Sequence, residues 1–324
     1  MNGSAGMSGS AGTSGSAGTS GSAARPVLAL LAAAVCAAAI WALAHFAVGT
    51  ASGQRLDQLT MSGAVAHEGQ LAQAARLMVT TVSVPVVTAA MGMAALLVVL
   101  RRRARLLLPL GVLVVGANLS TQAIKHLVIS REALGPGIDV TPNSFPSGHT
   151  TLAASAVIAL VLASGRARGV VAIPGALWTA GAGIGTLVVG WHRPSDVVGA
   201  ILVVAAWTFL VLAADGAHTR RRRARAARRP DLGRRRGRDR RRAGASGAGA
   251  RPRIGAGDLT VAVLLGLAGA ALLVVGALAF TGVQLPLTLA DTAQQQRAFT
   301  GTAAVIAGGV SGWLALVLML RTPH

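Results

Sequence analysis

Long apolar runs separated by short polar stretches occupy most of the chain from residue 27 onward. A helix needs about 20 predominantly apolar residues to cross the hydrocarbon core of a bilayer, and eight runs approach or exceed that length. The pattern therefore predicts an all-α membrane protein. The predicted spans are Val27–Val48, Leu77–Leu100, Leu106–Ile129, Thr150–Ser164, Val170–Gly190, Val197–Ala214, Leu259–Thr281 and Thr300–Leu320.

The composition supports this class. Hydrophobic residues make up 53% of the 324 residues and charged residues only 12%, whereas soluble domains carry about 25% charged residues. Alanine, glycine and valine fill the runs, and small residues allow helices to approach closely in lipid. The composition thus excludes an ordinary soluble domain.

The loops between the runs differ in their content of basic residues. Arginines are concentrated in Arg101–Arg105 between spans two and three, at Arg166 and Arg168 between spans four and five, and at Arg321 after the last span. Basic loops stay on the cytoplasmic side of a membrane. We therefore predict a multi-pass protein of the cell membrane with both termini in the cytoplasm.

Composition shifts divide the chain into four predicted parts. A repetitive Gly/Ser/Ala tail has nothing to bury and is predicted to be disordered. Six spans form a core, an arginine-rich stretch forms a cytoplasmic linker, and two more helices follow as an appended hairpin. The predicted parts are residues 1–24, 25–215, 216–257 and 258–324.

The arginine-rich linker carries most of the formal charge. His218–Arg253 holds 16 arginines and two aspartates, which gives +14 of the net +20. One interpretation is a solvated linker that enforces the topology by charge. The other is attraction to anionic membrane lipids, which contribute about 1 kcal/mol per basic residue near the surface. We expect no nucleic-acid partner.

The outer end of the third span becomes polar. Lys125 is the only lysine among the 30 basic residues, and Arg131 follows six positions later. Ionisable groups at membrane depth usually face an aqueous cavity or a bundle interior. An isolated lysine would as readily extend to the interface, but Arg131 is placed to bind the same anion. The pair indicates an anion site.

A second polar motif, Pro146-Ser147-Gly148-His149, precedes the fourth span. The first N–H groups of a helix are unpaired and the helix dipole favours negative charge, so an anion can bind there. Ser147 would equally serve as a plain N-cap.

A third motif links the fifth and sixth spans. His192 and Asp196 can meet across a turn, and a carboxylate on one ring nitrogen leaves the other as a nucleophile or base. Alternatively, Asp196 caps the sixth span. The topology brings all three motifs to the outer face, and no His/Cys/Glu cluster suggests a metal site.

The three motifs in this order resemble the type 2 phosphatidic acid phosphatase family (PAP2) over residues 106–214, and also the related bacterial undecaprenyl-diphosphate phosphatases. The resemblance implies a six-helix core and hydrolysis of a lipid phosphate or diphosphate through a phosphohistidine, with no metal or cofactor. It implies that His192 is the nucleophile, Asp196 its orienting group and His149 the general acid and base. The phosphoryl oxygens would be held by Lys125, Arg131, Ser147 and the Gly148 N–H.

Two positions depart from the family pattern. Glu132 stands where the family has proline, and Gly185-Thr186 stands where it has Ser-Arg. A phosphate-binding arginine is therefore missing, and Arg193 is a candidate substitute. Two alternatives stay open: a non-catalytic lipid-phosphate-binding or transport-associated protein, and a phosphotransferase that uses the same residues.

Overall fold

The computed structural model describes residues 20–138, 140, 143–228 and 255–321. This part of the chain is α-helical and contains no β-strand. The α-helices are α1 Ser20–Ala42, α2 Ala51–Val65, α3 Gly69–Thr80, α4 Val84–Leu100, α5 Leu107–Ala123, α6 Gly148–Ala163, α7 Arg168–Val188, α8 Pro194–Arg228, α9 Ala256–Thr281 and α10 Thr292–Leu320. Two π-helical turns, Leu43–Val48 and Ile124–Val128, extend α1 and α5.

Six of the described helical runs are long and apolar enough to cross a membrane, those of α1, α5, α7, α8, α9 and α10. The pair α3–α4 passes the same test only when it is taken together, and α6 is an apolar helix of 16 residues. The predicted all-α membrane bundle is confirmed.

The predicted second span, Leu77–Leu100, is not one straight helix. It is divided between α3 and α4, whose axes differ by 57°. Pro85 lies in the first turn of α4, where a missing N–H is tolerated, but a helix running through that position would clash with the ring. The hydroxyl of Thr81 donates to the Met78 carbonyl (2.6 Å) and helps to end α3.

Two helices extend beyond the predicted boundaries. Helix α8 has 35 residues, about 52 Å at 1.5 Å per residue, and continues from the predicted sixth span into the arginine-rich linker. Helix α1 begins at Ser20, inside the tail predicted to be disordered. Alanine and arginine are strong helix formers, so both ends extend. Residues 1–19 and 229–254, which hold the rest of these two predicted regions, lie outside the described residues.

Helix α2 was not predicted. It is too polar to resemble a membrane span, and it begins where the Thr50 side chain accepts from the Gly53 N–H (3.0 Å). It packs against α7, α8 and α10. At Gly63 the backbone of α2 lies directly against the backbone of Gln295, so that a Cβ would collide with the Gln295 carbonyl. The position of α2 therefore depends on α10.

The last two helices pack through glycines. A Cβ on Gly269 would lie 3.0 Å from the Gly308 carbonyl, and a Cβ on Gly276 would lie 3.0 Å from the Gly301 carbonyl. Such small residues bring helix backbones into close contact. Because α10 also packs on α2, α7 and α8, this hairpin is built into the bundle.

Candidate functional site

Side-chain and backbone hydrogen bonds join the end of α5, the start of α6 and the start of α8. The Asn143 amide donates to the carbonyls of Lys125 (2.9 Å) and Ile129 (2.8 Å). The Ser147 N–H donates to the Asp196 carbonyl (2.9 Å). The three predicted motifs therefore meet at one end of the bundle.

Two histidines face each other in this region. The ring centroids of His149 and His192 lie 6.0 Å apart in an edge-to-face arrangement, and the Trp191 ring lies 5.3 Å from His149. His192 is buried and His149 is half-buried. The two imidazoles thus border the same small space.

The turn between α7 and α8 presents His192. The Thr186 carbonyl accepts from the N–H groups of Trp191 (2.9 Å) and His192 (3.2 Å), and Gly190 takes φ +75°, a conformation that favours glycine. The Thr186 hydroxyl donates to the Gly183 carbonyl (2.7 Å). Thr186 therefore forms its hydrogen bonds within α7 and the following turn, and it contributes no positive charge to the site.

The Asp196 carboxylate lies behind His192 and is fully buried. Its Oδ2 is 3.6 Å from His192 Nδ1, which is longer than a hydrogen bond. The same oxygen accepts from the Arg193 N–H (2.9 Å) and from the Ser144 hydroxyl. Asp196 thus makes the local capping contact and also faces the imidazole.

Arg131 lies in a different environment from the one predicted. Its side chain has no exposed surface. Its Nη1 donates to Asp196 Oδ1 (3.1 Å), and its Nη2 donates to Asp57 Oδ2 and Ser195 Oγ (both 2.9 Å). Two carboxylates therefore enclose the guanidinium, and direct binding of phosphate by Arg131 stays a prediction.

Asp57 on α2 is the functional candidate that the motifs missed. It accepts from the Ser195 N–H (3.1 Å) and hydroxyl in addition to Arg131. The pKa of Asp57 is raised to about 6, first by burial and then by the charge of Asp196, while Arg131 and Ser195 oppose the rise. The only signal in the sequence was an aspartate one turn after a polar residue, Gln54, on a segment with an N-cap.

Gln54 supports the same arrangement from α2. Its amide donates to the Glu132 carbonyl (2.7 Å), and its oxygen accepts from the Leu134 N–H (3.0 Å). These bonds hold the chain that follows Arg131. Helix α2 therefore positions both the guanidinium and the loop behind it.

The remaining predicted ligands surround the histidines. Lys125 is half-buried and close enough to His149 and Asp196 for their charges to interact. Gly148 begins α6. Ser147 is the N-cap of α6, since its Oγ accepts from the N–H (3.3 Å) and hydroxyl (3.0 Å) of Thr150. The plain N-cap interpretation of Ser147 thus describes its contacts. No group of three or more metal-ligating side chains occurs among the described residues.

Residues 106–220, roughly a third of the chain, match the family model described as the PAP2 superfamily. We call these residues the PAP2 segment, after the family that they resemble. The PAP2 segment contains Lys125, His149 and His192 and ends within α8, while α1–α4 and the final hairpin lie outside it. PAP2 proteins are generally phosphatases, and this match together with the apolar helices supports a phosphatase-type membrane protein. No curated protein and no solved structure matches it.

Proposed function

We propose that the protein hydrolyses a lipid phosphate or diphosphate at the outer face of the cell membrane through a phosphohistidine, without a metal ion. The observation that carries the proposal is the facing pair of imidazoles, 6.0 Å between ring centroids, with the buried Asp196 carboxylate behind His192. A nucleophile, a proton donor and an orienting carboxylate are the groups that phosphoryl transfer to a histidine requires.

The first step forms a phosphorus–nitrogen bond. Nε2 of His192 attacks phosphorus, and the bond to the lipid oxygen breaks. His149, as an imidazolium, gives its proton to that oxygen and leaves as the neutral base. Asp196 stabilises the positive charge that develops on the His192 ring.

The second step restores the enzyme. His149 takes a proton from water as the water oxygen attacks phosphorus, and the phosphorus–nitrogen bond breaks to release phosphate. Each proton that His149 gives in the first step is recovered in the second.

The phosphoryl oxygens have fewer cationic partners than the family resemblance implies. We assign them to Lys125, Arg193 and the Gly148 N–H at the start of α6, where the helix dipole favours anions. Arg131 and Ser147 support the site from behind rather than bind the phosphate. Removing one donor to a developing anion typically lowers the rate by about 10²–10³, so Thr186 in place of arginine favours slow turnover.

The residue at position 186 and the contacts of Arg131 favour a second candidate, a non-catalytic lipid-phosphate-binding protein. Thr186 offers no charge, and Arg131 is enclosed by Asp57 and Asp196. A binding protein would retain Lys125 and the helix start without needing rapid transfer.

One experiment separates the two candidates. Purified protein in detergent is given phosphatidic acid or undecaprenyl diphosphate with excess chelator, and released phosphate is measured. We expect release by the wild type, a loss of at least about 10³ in His192→Ala, and little change in His45→Ala, whose exposed ring contacts only Trp41 and Phe46 among the described rings. Binding of both lipids without any release would support the binding protein. Release undiminished in His192→Ala would contradict the phosphohistidine.

A further inference from the structure

A cavity of about 650 Å³ lies beside the site, between the π turn after α1, helix α2, the first turn of α8 and the final hairpin. This volume falls within the range typical of small-molecule sites, about 300–1,000 Å³. Most of the lining residues are apolar, among them Leu43, Phe46, Leu56, Val198, Phe280 and Val305. The walls therefore suit a hydrocarbon.

One end of the cavity reaches the support of the catalytic pair. Pro194 and Ser195 line it and follow His192 by only two and three residues. Asp57 also lines it while accepting from Arg131 and Ser195. The cavity and the histidines therefore share a polar boundary at the head of α8.

Charge fixes which part of an amphiphile can enter. Asp57 is the only ionisable side chain among the described residues that line the cavity. A carboxylate repels a phosphate, whereas Lys125 and the start of α6 attract one. An amphiphilic phosphate therefore has its head at the histidines and its apolar part directed into the cavity.

We propose that this cavity binds the hydrocarbon chain of the lipid phosphate substrate. The proposal rests on the function proposed above and adds the part of the chain that selects the substrate. Except for Pro194, Ser195 and Val198, the lining residues lie outside the matched PAP2 segment. The PAP2 segment thus supplies the chemistry, and α2 with the final hairpin supplies most of the chain-binding walls.

The test is chain-length selectivity. Val305→Phe fills the cavity, and Leu287→Trp fills it from the connection between α9 and α10. Val274→Phe is the matched control, because Val274 is 58% exposed on α9 and does not line the cavity. Hexadecyl phosphate and butyl phosphate serve as substrates. Melting temperatures confirm that each variant is folded.

We expect the wild type to prefer hexadecyl phosphate in kcat/KM. Both filling variants should lose about tenfold of that preference through a higher KM for hexadecyl phosphate, with butyl phosphate hydrolysis unchanged. Val274→Phe should retain the preference. Filled variants that retain the wild-type preference would overturn the proposal.

A binding measurement keeps this outcome separate from a failure of the proposed function. If the wild type hydrolyses neither substrate, the phosphatase proposal fails, and hexadecyl phosphate with a photoreactive diazirine at its terminal carbon still reports the cavity. We expect labelled peptides from residues 43–60 or 280–305, with less label in Val305→Phe. Label confined to other helices, or undiminished in Val305→Phe, would overturn the cavity assignment.

Discussion

The Arg131 guanidinium joins two carboxylates that are far apart in the sequence. Its nitrogens bind Asp57 and Asp196, and Asp196 faces His192, the proposed nucleophile. A carboxylate that shares its charge with a guanidinium stabilises an imidazolium less than a free one does. Because Asp57 also binds the guanidinium, it weakens the pairing of Arg131 with Asp196. More of the negative charge of Asp196 is then available to His192. We infer that Asp57 is a positioning residue that acts through Arg131.

Asp57→Asn tests this relation through the pH dependence of stability. Burial raises the pKa of Asp57 to about 6 from an ordinary value of 3.8, so the folded state binds this proton more tightly than the unfolded state. The resulting stabilisation is complete below about pH 3.8 and is lost as the pH rises through about 6. Asparagine cannot lose a proton, so its contribution does not change with pH. As the pH rises from 5 to 7, we expect the free energy of unfolding of the variant to rise by about 1 kcal/mol relative to that of the wild type. Melting temperatures in detergent at these two pH values measure the difference.

The same variant has a kinetic readout that a purely structural role would not change. With a neutral amide at position 57, Arg131 pairs more fully with Asp196, so we expect kcat to fall about tenfold with little change in KM. Two results would contradict the role of Asp57: a difference in melting temperature between variant and wild type that is the same at pH 5 and pH 7, or a variant kcat equal to that of the wild type.

The sequence pointed to the proposed catalytic residues more directly than to the residues that contact them. His149, His192 and Asp196 stand in local motifs at helix starts, and the structure brings them together at one end. The partners of Arg131 were not predictable in this way, because Asp57 lies 74 residues earlier on a helix without an apolar period. A polar contact between distant segments leaves no periodic signal in one sequence.

At the scale of helices, the apolar runs predicted the long spans but not the interruptions. Helix α2 was not predicted because it is short and polar. The break between α3 and α4 was not predicted because apolar residues continue through it. Both depend on local details, an N-cap at Thr50 and a proline at residue 85, that a window of mean hydropathy averages out. Helix α2 nevertheless carries Asp57 and Gln54 to the site, and its place is set by contact with α10.

Gly63→Ala tests whether α10 positions the site through α2. The added Cβ would collide with the Gln295 carbonyl, an atom of the α10 backbone that cannot rotate away. Overpacking of this kind typically costs about 1–3 kcal/mol. We therefore expect a lower melting temperature and, because Asp57 moves with α2, at least about a tenfold loss of phosphatase activity.

Gly309→Ala is the matched control for this substitution. Gly309 lies on α10, and a Cβ there would meet no atom within 4 Å. It should leave activity and melting temperature close to those of the wild type. If Gly63→Ala behaves like Gly309→Ala, the contact between α2 and α10 does not hold the site in place.

At the scale of the whole molecule, the two ends of the bundle have opposite characters. At one end, Arg101 donates to the Ser164 carbonyl, Arg168 pairs with Asp258 at 2.9 Å, and Arg321 donates to the Val161 carbonyl. The histidines and Lys125 lie at the other end. The sequence predicted this separation, because Arg101 and Arg168 lie between consecutive spans and Arg321 follows the last one.

The separation gives a testable orientation in the membrane. Basic loops stay in the cytoplasm, so the histidines and the connection between α9 and α10 should face outward. Cys36 is the only cysteine in the chain, and Cys36→Ser provides a background without thiols. Ala290→Cys places a thiol in the outer connection, and Ala167→Cys places one at the basic end; both positions are exposed. A membrane-impermeant maleimide should label only Ala290→Cys in intact cells and both variants after permeabilisation, provided that each retains the background's activity. Labelling of Ala167→Cys alone in intact cells would reverse the orientation and place the catalytic end in the cytoplasm.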